Sequence, residues 1–140
     1  MNDALAQLYQ QVIVEHHKAP RNYGPLPEAT HAATVDNPLC GDQVTVRLLR
    51  EGDRVQAVRF EARGCALSRA SASLMTEAIL GSSAADALAR GRALEAYLAG
   101  GGTAPTEALA VFAGVREFPS RIVCVTLPWT ALAKALTVPD

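Results

Sequence analysis

The sequence predicts an α+β fold, in which a small antiparallel sheet of about three strands is covered by helices. Residues 44–50 and 54–62 alternate apolar and polar side chains and are separated by the turn residues EGD, a pattern typical of a β-hairpin. Apolar residues with helical spacing lie on both sides of this hairpin. With 140 residues the chain can bury its own core, and we expect a single domain over residues 1–140.

The elements before the hairpin are predicted from periodicity and from proline. Residues 3–18 form a helix in this prediction, and Pro20 stops it. Its apolar face consists of Leu5, Leu8, Tyr9, Val12 and Ile13. A short first strand is expected at 31–36.

The elements after the hairpin are predicted to be helices. The first covers 68–80 and ends at Gly81. The second covers 84–99 with Ser83 as its cap, and a short helix follows at 106–113. The last helix is expected to begin close to Pro128, with Thr126 as its cap. We expect Phe60, Phe112 and Trp129 to lie in the core.

Composition excludes several classes of function. Charged residues make up 19% of the chain, hydrophobic residues 49%, and the net charge is −1. The basic residues are scattered, which argues against a nucleic-acid partner. No apolar run approaches the roughly 18 residues that a membrane span needs, and the N-terminus lacks the pattern of a secretion signal. We expect a cytoplasmic protein with no membrane partner.

The three cysteines are Cys40, Cys65 and Cys124, and an odd number cannot pair fully in disulfides. Cys40 precedes the hairpin and Cys65 follows it, so antiparallel pairing should bring both to one edge of the sheet, together with Asp42. Gly41 and Gly64 leave room for a close approach there. Cys65 also precedes a predicted helix, whose N-terminus favours a thiolate.

Three thiolates and a carboxylate at one place would repel each other without a cation, and a tetrahedral zinc ion takes four such ligands. Arg63, Arg69 and Arg121 are candidates to offset the remaining negative charge. A carboxylate is a harder ligand than a thiolate, so this site would suit ligand exchange. By spacing alone, Asp42 could instead form a local turn before the strand.

Three segments carry a specific resemblance: NPLCGD (37–42), GCALSRASASLMTEAI (64–79) and FPSRIVCVTLPW (118–129). They resemble the metal-site motifs of the IscU/NifU N-terminal family of iron–sulfur assembly proteins. The N-terminal segment LYQQVIVEHHKAPRNYG is similar to that family's first helix and loop. The chain looks most like the SufU branch, because Val123 replaces the histidine that precedes the third cysteine in classical IscU scaffolds. An insertion typical of that branch would cover about 82–116.

The resemblance implies an IscU-like fold and a Zn²⁺ site formed by Cys40, Asp42, Cys65 and Cys124, with Arg121 flanking it. It also implies sulfur transfer. A PLP-dependent cysteine desulfurase of the SufS type would donate persulfide sulfur to this chain, which would relay the sulfur to iron–sulfur assembly proteins. We select Cys40 as the acceptor because a loop cysteine can leave a metal with least strain.

Three alternatives remain open. The same ligands could hold iron or a transient [2Fe–2S] cluster in a scaffold. Zinc could have a purely structural role, although such sites usually have four Cys or His ligands. A cysteine hydrolase would need a histidine beside a cysteine. We expect His16 and His17, at the end of the first helix, to interact with the helix dipole, and we expect His31 to be a surface residue.

Overall fold

The computed structural model describes residues 3–37 and 41–137, which form three strands, four α-helices and a 3₁₀ helix. In chain order the elements are α1 (Asp3–Lys18), β1 (His31–Asn37), β2 (Asp42–Glu51), β3 (Arg54–Arg63), α2 (Ala66–Ile79), α3 (Ala84–Leu98), the 3₁₀ helix (Ala108–Glu117) and α4 (Pro119–Thr137). None of these helices is both long enough and apolar enough to cross a bilayer.

The strands form one antiparallel sheet in the order β1–β2–β3. Asn37 of β1 pairs with Asp42, and Gln43 pairs with Arg63 of β3. The start of β2 therefore lies beside the end of β3, as the hairpin prediction required. The predicted α+β class and the antiparallel sheet of about three strands are confirmed.

One face of the sheet is covered by helices α2 and α4. Along β2, the buried side chains of Val44, Val46 and Leu48 alternate with partly exposed residues on the other face, as expected for a strand with one buried face. The core extends from this face and contains the predicted residues Phe60, Phe112 and Trp129.

The start of α3 agrees with the sequence prediction, whereas α2 begins two residues before its predicted start and ends one residue before its predicted end. Gly81 follows Leu80, the residue that caps the C-terminus of α2, and its backbone has a φ of +82°, the conformation that glycine adopts most easily after a helix. The hydroxyl of Ser83 accepts a hydrogen bond of 3.1 Å from the backbone N–H of Asp86, so Ser83 caps α3.

The predicted start of the last helix is wrong. Helix α4 begins at Pro119, and Pro128 lies inside it. Pro119 is the proline that occupies the first turn, where its missing N–H costs nothing. Thr126 is not a cap, and its hydroxyl donates to the carbonyl of Val123 at 3.3 Å. Consequently Cys124 lies in the second turn of α4 and not before it.

Helix α1 has its predicted bounds, but its apolar face is only partly used. Tyr9, Val12 and Ile13 pack against the core, whereas Leu8 is 54% exposed. Helix α1 packs against α2 and the 3₁₀ helix, and these neighbours do not cover the face that carries Leu8.

Two histidines lie in the interior instead of at the surface. His16, in the last turn of α1, is buried, and its Nδ1 lies 2.7 Å from the hydroxyl oxygen of Ser73. Burial, followed by the nearby guanidinium of Arg21, lowers the pKa of His16, so the predicted interaction of an imidazolium with the helix dipole is wrong for this residue. His31 is also buried, with its Nδ1 2.8 Å from the Thr30 hydroxyl.

Candidate metal centre

Three of the four predicted ligands come together where β2 begins and β3 ends. Asp42 is the first residue of β2, Cys65 is the cap of α2, and Cys124 lies in α4. The carboxylate oxygen and the two sulfur atoms all lie within 4.8 Å of one another. Cys40, the fourth predicted ligand, directly precedes Gly41 and lies outside the described residues.

The Asp42 side chain reaches away from its own strand toward the start of α2. Its Oδ1 accepts a hydrogen bond of 2.8 Å from the backbone N–H of Cys65. Its Oδ2 accepts from the Ser68 hydroxyl at 3.0 Å and from the Cys65 thiol at 3.3 Å. These partners lie 23 and 26 residues further along the chain. The contacts therefore favour the prediction that Asp42 and the cysteines converge over that of a local turn.

Gly64 makes room for this carboxylate. A Cβ atom at position 64 would lie 1.8 Å from Asp42 Oδ1 and 2.6 Å from Asp42 Cγ. The backbone there has a φ of +122°, which is strained for any residue with a side chain. Both the space and the conformation at this position thus require glycine.

The two cysteines differ in exposure. Cys65 is partly exposed, whereas Cys124 is buried. Burial raises the pKa of the Cys124 thiol, and the adjacent Cys65 and Asp42 raise it further. These acidic groups cannot all ionise in so small a volume unless a cation offsets their charge.

The observed donor set fits zinc. With Zn–S bonds of about 2.3 Å, two sulfur ligands of a tetrahedral ion lie about 3.8 Å apart, and the three donor atoms here lie within 4.8 Å. Two thiols match the preference of zinc for soft ligands, and the carboxylate is an acceptable third. Asp42, Cys65 and Cys124 can hold zinc together, with Cys40 as the expected fourth ligand.

Ser68 is a residue of the site that the sequence analysis did not single out. Its hydroxyl oxygen lies 3.0 Å from Asp42 Oδ2, 2.9 Å from the backbone carbonyl oxygen of Cys124 and 3.7 Å from Cys65 Sγ. The sequence could have indicated Ser68 through its position three residues after Cys65, because residues three apart lie on the same face of a helix. Cys65 and Ser68 have that spacing at the N-terminus of α2.

The three candidate arginines have other partners. Arg63 donates to the Gln43 side chain at 2.9 Å, and the guanidinium of Arg69 lies 4.6 Å from the centre of the Tyr23 ring. The guanidinium of Arg121 lies 5.1 Å from the centre of the Phe118 ring. Arg121 also shares with Cys65 the lining of a groove of about 570 Å³ beside α1 and the 3₁₀ helix.

The NifU-like N-terminal domain family matches residues 8–125 of this chain. The chain belongs to this family. The matched range contains all four predicted ligands and ends one residue after Cys124. Fold and sequence motifs therefore lead to the same assignment.

Two relatives of similar identity carry different names. The zinc-dependent sulfurtransferase SufU of Bacillus subtilis (strain 168) is 38% identical over 138 residues, covering 96% of this chain and 93% of that protein. The iron–sulfur cluster assembly scaffold protein IscU of Streptococcus pyogenes serotype M1 is 35% identical over 135 residues, covering 94% and 84%.

Solved structures of the family share the fold. The crystal structure of FiSufU from Fervidobacterium islandicum AW-1 superposes with a TM-score of 0.87 at 32% identity, covering 94% of this chain and 98% of that one. The N-terminal part of a NifU-like protein from Brucella abortus gives a TM-score of 0.84 at 30% identity, covering 94% of each chain.

Proposed function

We propose that this protein acts in iron–sulfur cluster assembly as a zinc-dependent sulfur acceptor. The observation that carries the proposal is the convergence of Asp42, Cys65 and Cys124, whose donor atoms lie within 4.8 Å of one another. Similarity to the B. subtilis protein named as a zinc-dependent sulfurtransferase supports the same activity. The proposed zinc ligands are these three residues and Cys40.

In this proposal the sulfur donor is the persulfide of a PLP-dependent cysteine desulfurase. Bound zinc would keep the ligating thiols deprotonated. The Cys40 thiolate attacks the terminal sulfur of the donor persulfide and forms a new S–S bond. The S–S bond within the donor breaks, and its cysteine leaves as a thiolate. Sulfur passes between the two proteins without any external oxidant or reductant.

Two residues of α4, Val123 and Arg121, are consistent with sulfur transfer. Val123 is 42% exposed beside the buried Cys124, and its hydrocarbon side chain cannot ligate a metal. We propose that Arg121, which lines the same groove as Cys65, flanks the site and attracts the negatively charged persulfide of the donor.

A scaffold for a [2Fe–2S] cluster is the second candidate. It is favoured by the similarity to relatives named as IscU scaffolds, and two cysteines and an aspartate can also contribute to such a cluster. In a scaffold the same ligands would hold the cluster and release it to an apo-protein.

The experiment that separates the two candidates measures L-cysteine turnover by a cognate cysteine desulfurase, with and without this protein loaded with zinc. We expect strong stimulation, and mass spectrometry should find the added sulfur on Cys40. If turnover is not stimulated and the protein instead develops cluster absorbance with iron and sulfide, the scaffold function is supported and sulfur transfer is not.

Two variants control this experiment. Cys40→Ser should abolish the persulfide while leaving desulfurase turnover with a small-molecule reductant unchanged. Ser83→Ala removes a cap of α3 far along the chain and should leave stimulation intact. If the Cys40→Ser variant still receives a persulfide, on Cys65, the choice of Cys40 as the acceptor would be overturned.

A further inference from the structure

Ser68 lies at the centre of the candidate metal centre without being one of its ligands. The residue is 1% exposed, and its hydroxyl faces two acceptors, Asp42 Oδ2 at 3.0 Å and the carbonyl oxygen of Cys124 at 2.9 Å. A hydroxyl carries one proton, so Ser68 can donate to only one of these oxygens at a time. Two proposed ligands, Asp42 and Cys124, therefore depend on the same donor.

The carbonyl of Cys124 needs this donor because of a proline. In an α-helix this carbonyl would accept from the backbone N–H four residues later, at position 128. Pro128 occupies that position inside α4 and has no N–H. The hydrogen bond from Ser68 is buried, and a buried carbonyl left without a donor is costly.

We propose that Ser68 is a positioning residue of the metal centre, which holds the Asp42 carboxylate and the Cys124 turn of α4 in place for a zinc ion. The inference rests on the proposed zinc site. Groups that orient metal ligands change metal affinity by about 10- to 100-fold when they are removed. Because Pro128 cannot donate to the carbonyl of Cys124, this carbonyl competes with Asp42 for the single proton of the Ser68 hydroxyl. The residue at position 128 should therefore affect how firmly Ser68 holds Asp42.

Ser71 provides a matched control on the same helix. Its hydroxyl is also fully buried and also bridges α2 to α4, since it donates to the carbonyl of Val125 at 2.5 Å. Replacing Ser71 or Ser68 by alanine removes one hydroxyl and one hydrogen bond between the same two helices. Only the Ser68 hydroxyl contacts Asp42.

The test uses the full chain and zinc alone, with affinity measured by competition against a chromophoric chelator and release measured after chelator excess. We expect Ser68→Ala to lower zinc affinity by about 10- to 100-fold and to speed release, and Ser71→Ala to stay within about twofold of the wild type. Ser68→Thr, which keeps the hydroxyl, should recover most of the affinity. Thermal unfolding of the metal-free variants measures the loss of packing separately.

Pro128→Ala keeps the proposal testable if Ser68→Ala does not fold. The new N–H can satisfy the Cys124 carbonyl, which frees the Ser68 hydroxyl for Asp42, so we expect zinc release to become slower than in the wild type. Equal losses of affinity in Ser68→Ala and Ser71→Ala, or unchanged or faster release from Pro128→Ala, would overturn the proposal. If the wild type itself binds no zinc, it is the proposed function that fails.

Discussion

At the scale of single residues, the site depends on contacts between positions that are distant in the sequence. The residue types predicted Cys40, Asp42, Cys65 and Cys124 as ligands, and the hairpin predicted that Asp42 and Cys65 lie at one edge of the sheet. The structure places Asp42 beside Cys65 there, with Cys124 of α4 close to both. Ser68 and Pro128 could not be assigned a role in the same way, since serine and proline are common in helices and turns. Their importance follows from the packing of α2 against α4, which one sequence does not specify.

The exchange of Asp42 for alanine or asparagine should separate metal binding from folding. Both variants lose a charged ligand, and we expect each to lose more zinc affinity than the about 10- to 100-fold typical of a group that only orients a ligand. Asparagine keeps an oxygen for the Cys65 N–H, whereas alanine removes the acceptor of this partly buried donor, at a cost of about 1 kcal/mol or more. Chemical unfolding of the metal-free proteins should therefore find only Asp42→Ala markedly destabilised. Complete unfolding of Asp42→Asn would indicate a structural role for the site.

Gly64→Ala tests whether the carboxylate needs the empty space beside it. The new methyl group would overlap Asp42 Oδ1, so we expect zinc affinity to fall by at least about tenfold. Backbone strain at a positive φ adds a stability loss of about 1–3 kcal/mol. Gly81→Ala is the control, since its φ is +82° but its added Cβ has no neighbouring atom within 4 Å. Zinc titration should distinguish the variants, and equal affinity in both would contradict this explanation.

At the scale of the elements, strong local signals predicted most helices and strands, and a competing local signal caused the clear error. Helix α1, the hairpin and α3 have obvious periodicity or caps. Helix α4 contains two prolines, Pro119 and Pro128, and the sequence does not tell which one begins the helix. In the structure Pro128 lies inside α4, and the carbonyl of Cys124, four residues earlier, accepts a hydrogen bond from Ser68 of α2.

The attachment of α1 to α2 should weaken in acid. Burial holds the pKa of His16 below its ordinary value of 6.5, so the unfolded chain binds this proton more readily than the folded one. The contribution to stability is fully present above about pH 6.5 and falls as pH drops below it, with a slope of at most about 1.4 kcal/mol per pH unit. Unfolding free energies measured from pH 7.5 to 5 should show this decrease. In His16→Gln the decrease should be smaller, and an identical pH dependence would exclude His16 as its cause.

At the scale of the whole molecule, the candidate site lies where the sheet, α2 and α4 meet, and these elements also pack against one another directly. Asp42 belongs to the sheet, Cys65 to the start of α2 and Cys124 to α4. The core of the sheet and helices is extensive without the site, because Val46, Phe60 and Phe112 are fully buried. We therefore expect a bound ion to tighten one edge of the fold without being needed for its core.

Hydrogen exchange with and without zinc should show this division. On removal of zinc we expect faster exchange at the backbone amides of Gln43, Cys65 and Ser68, whose segments lose their shared cross-link. Amides at Val46 and Phe60, in the middle of the sheet, should keep their protection, because their opening requires unfolding of the core. The experiment requires zinc-loaded and chelated samples of the same protein at one pH. Loss of protection throughout the sheet would mean that the metal stabilises the entire domain, and a structural zinc would then explain the site better than sulfur transfer does.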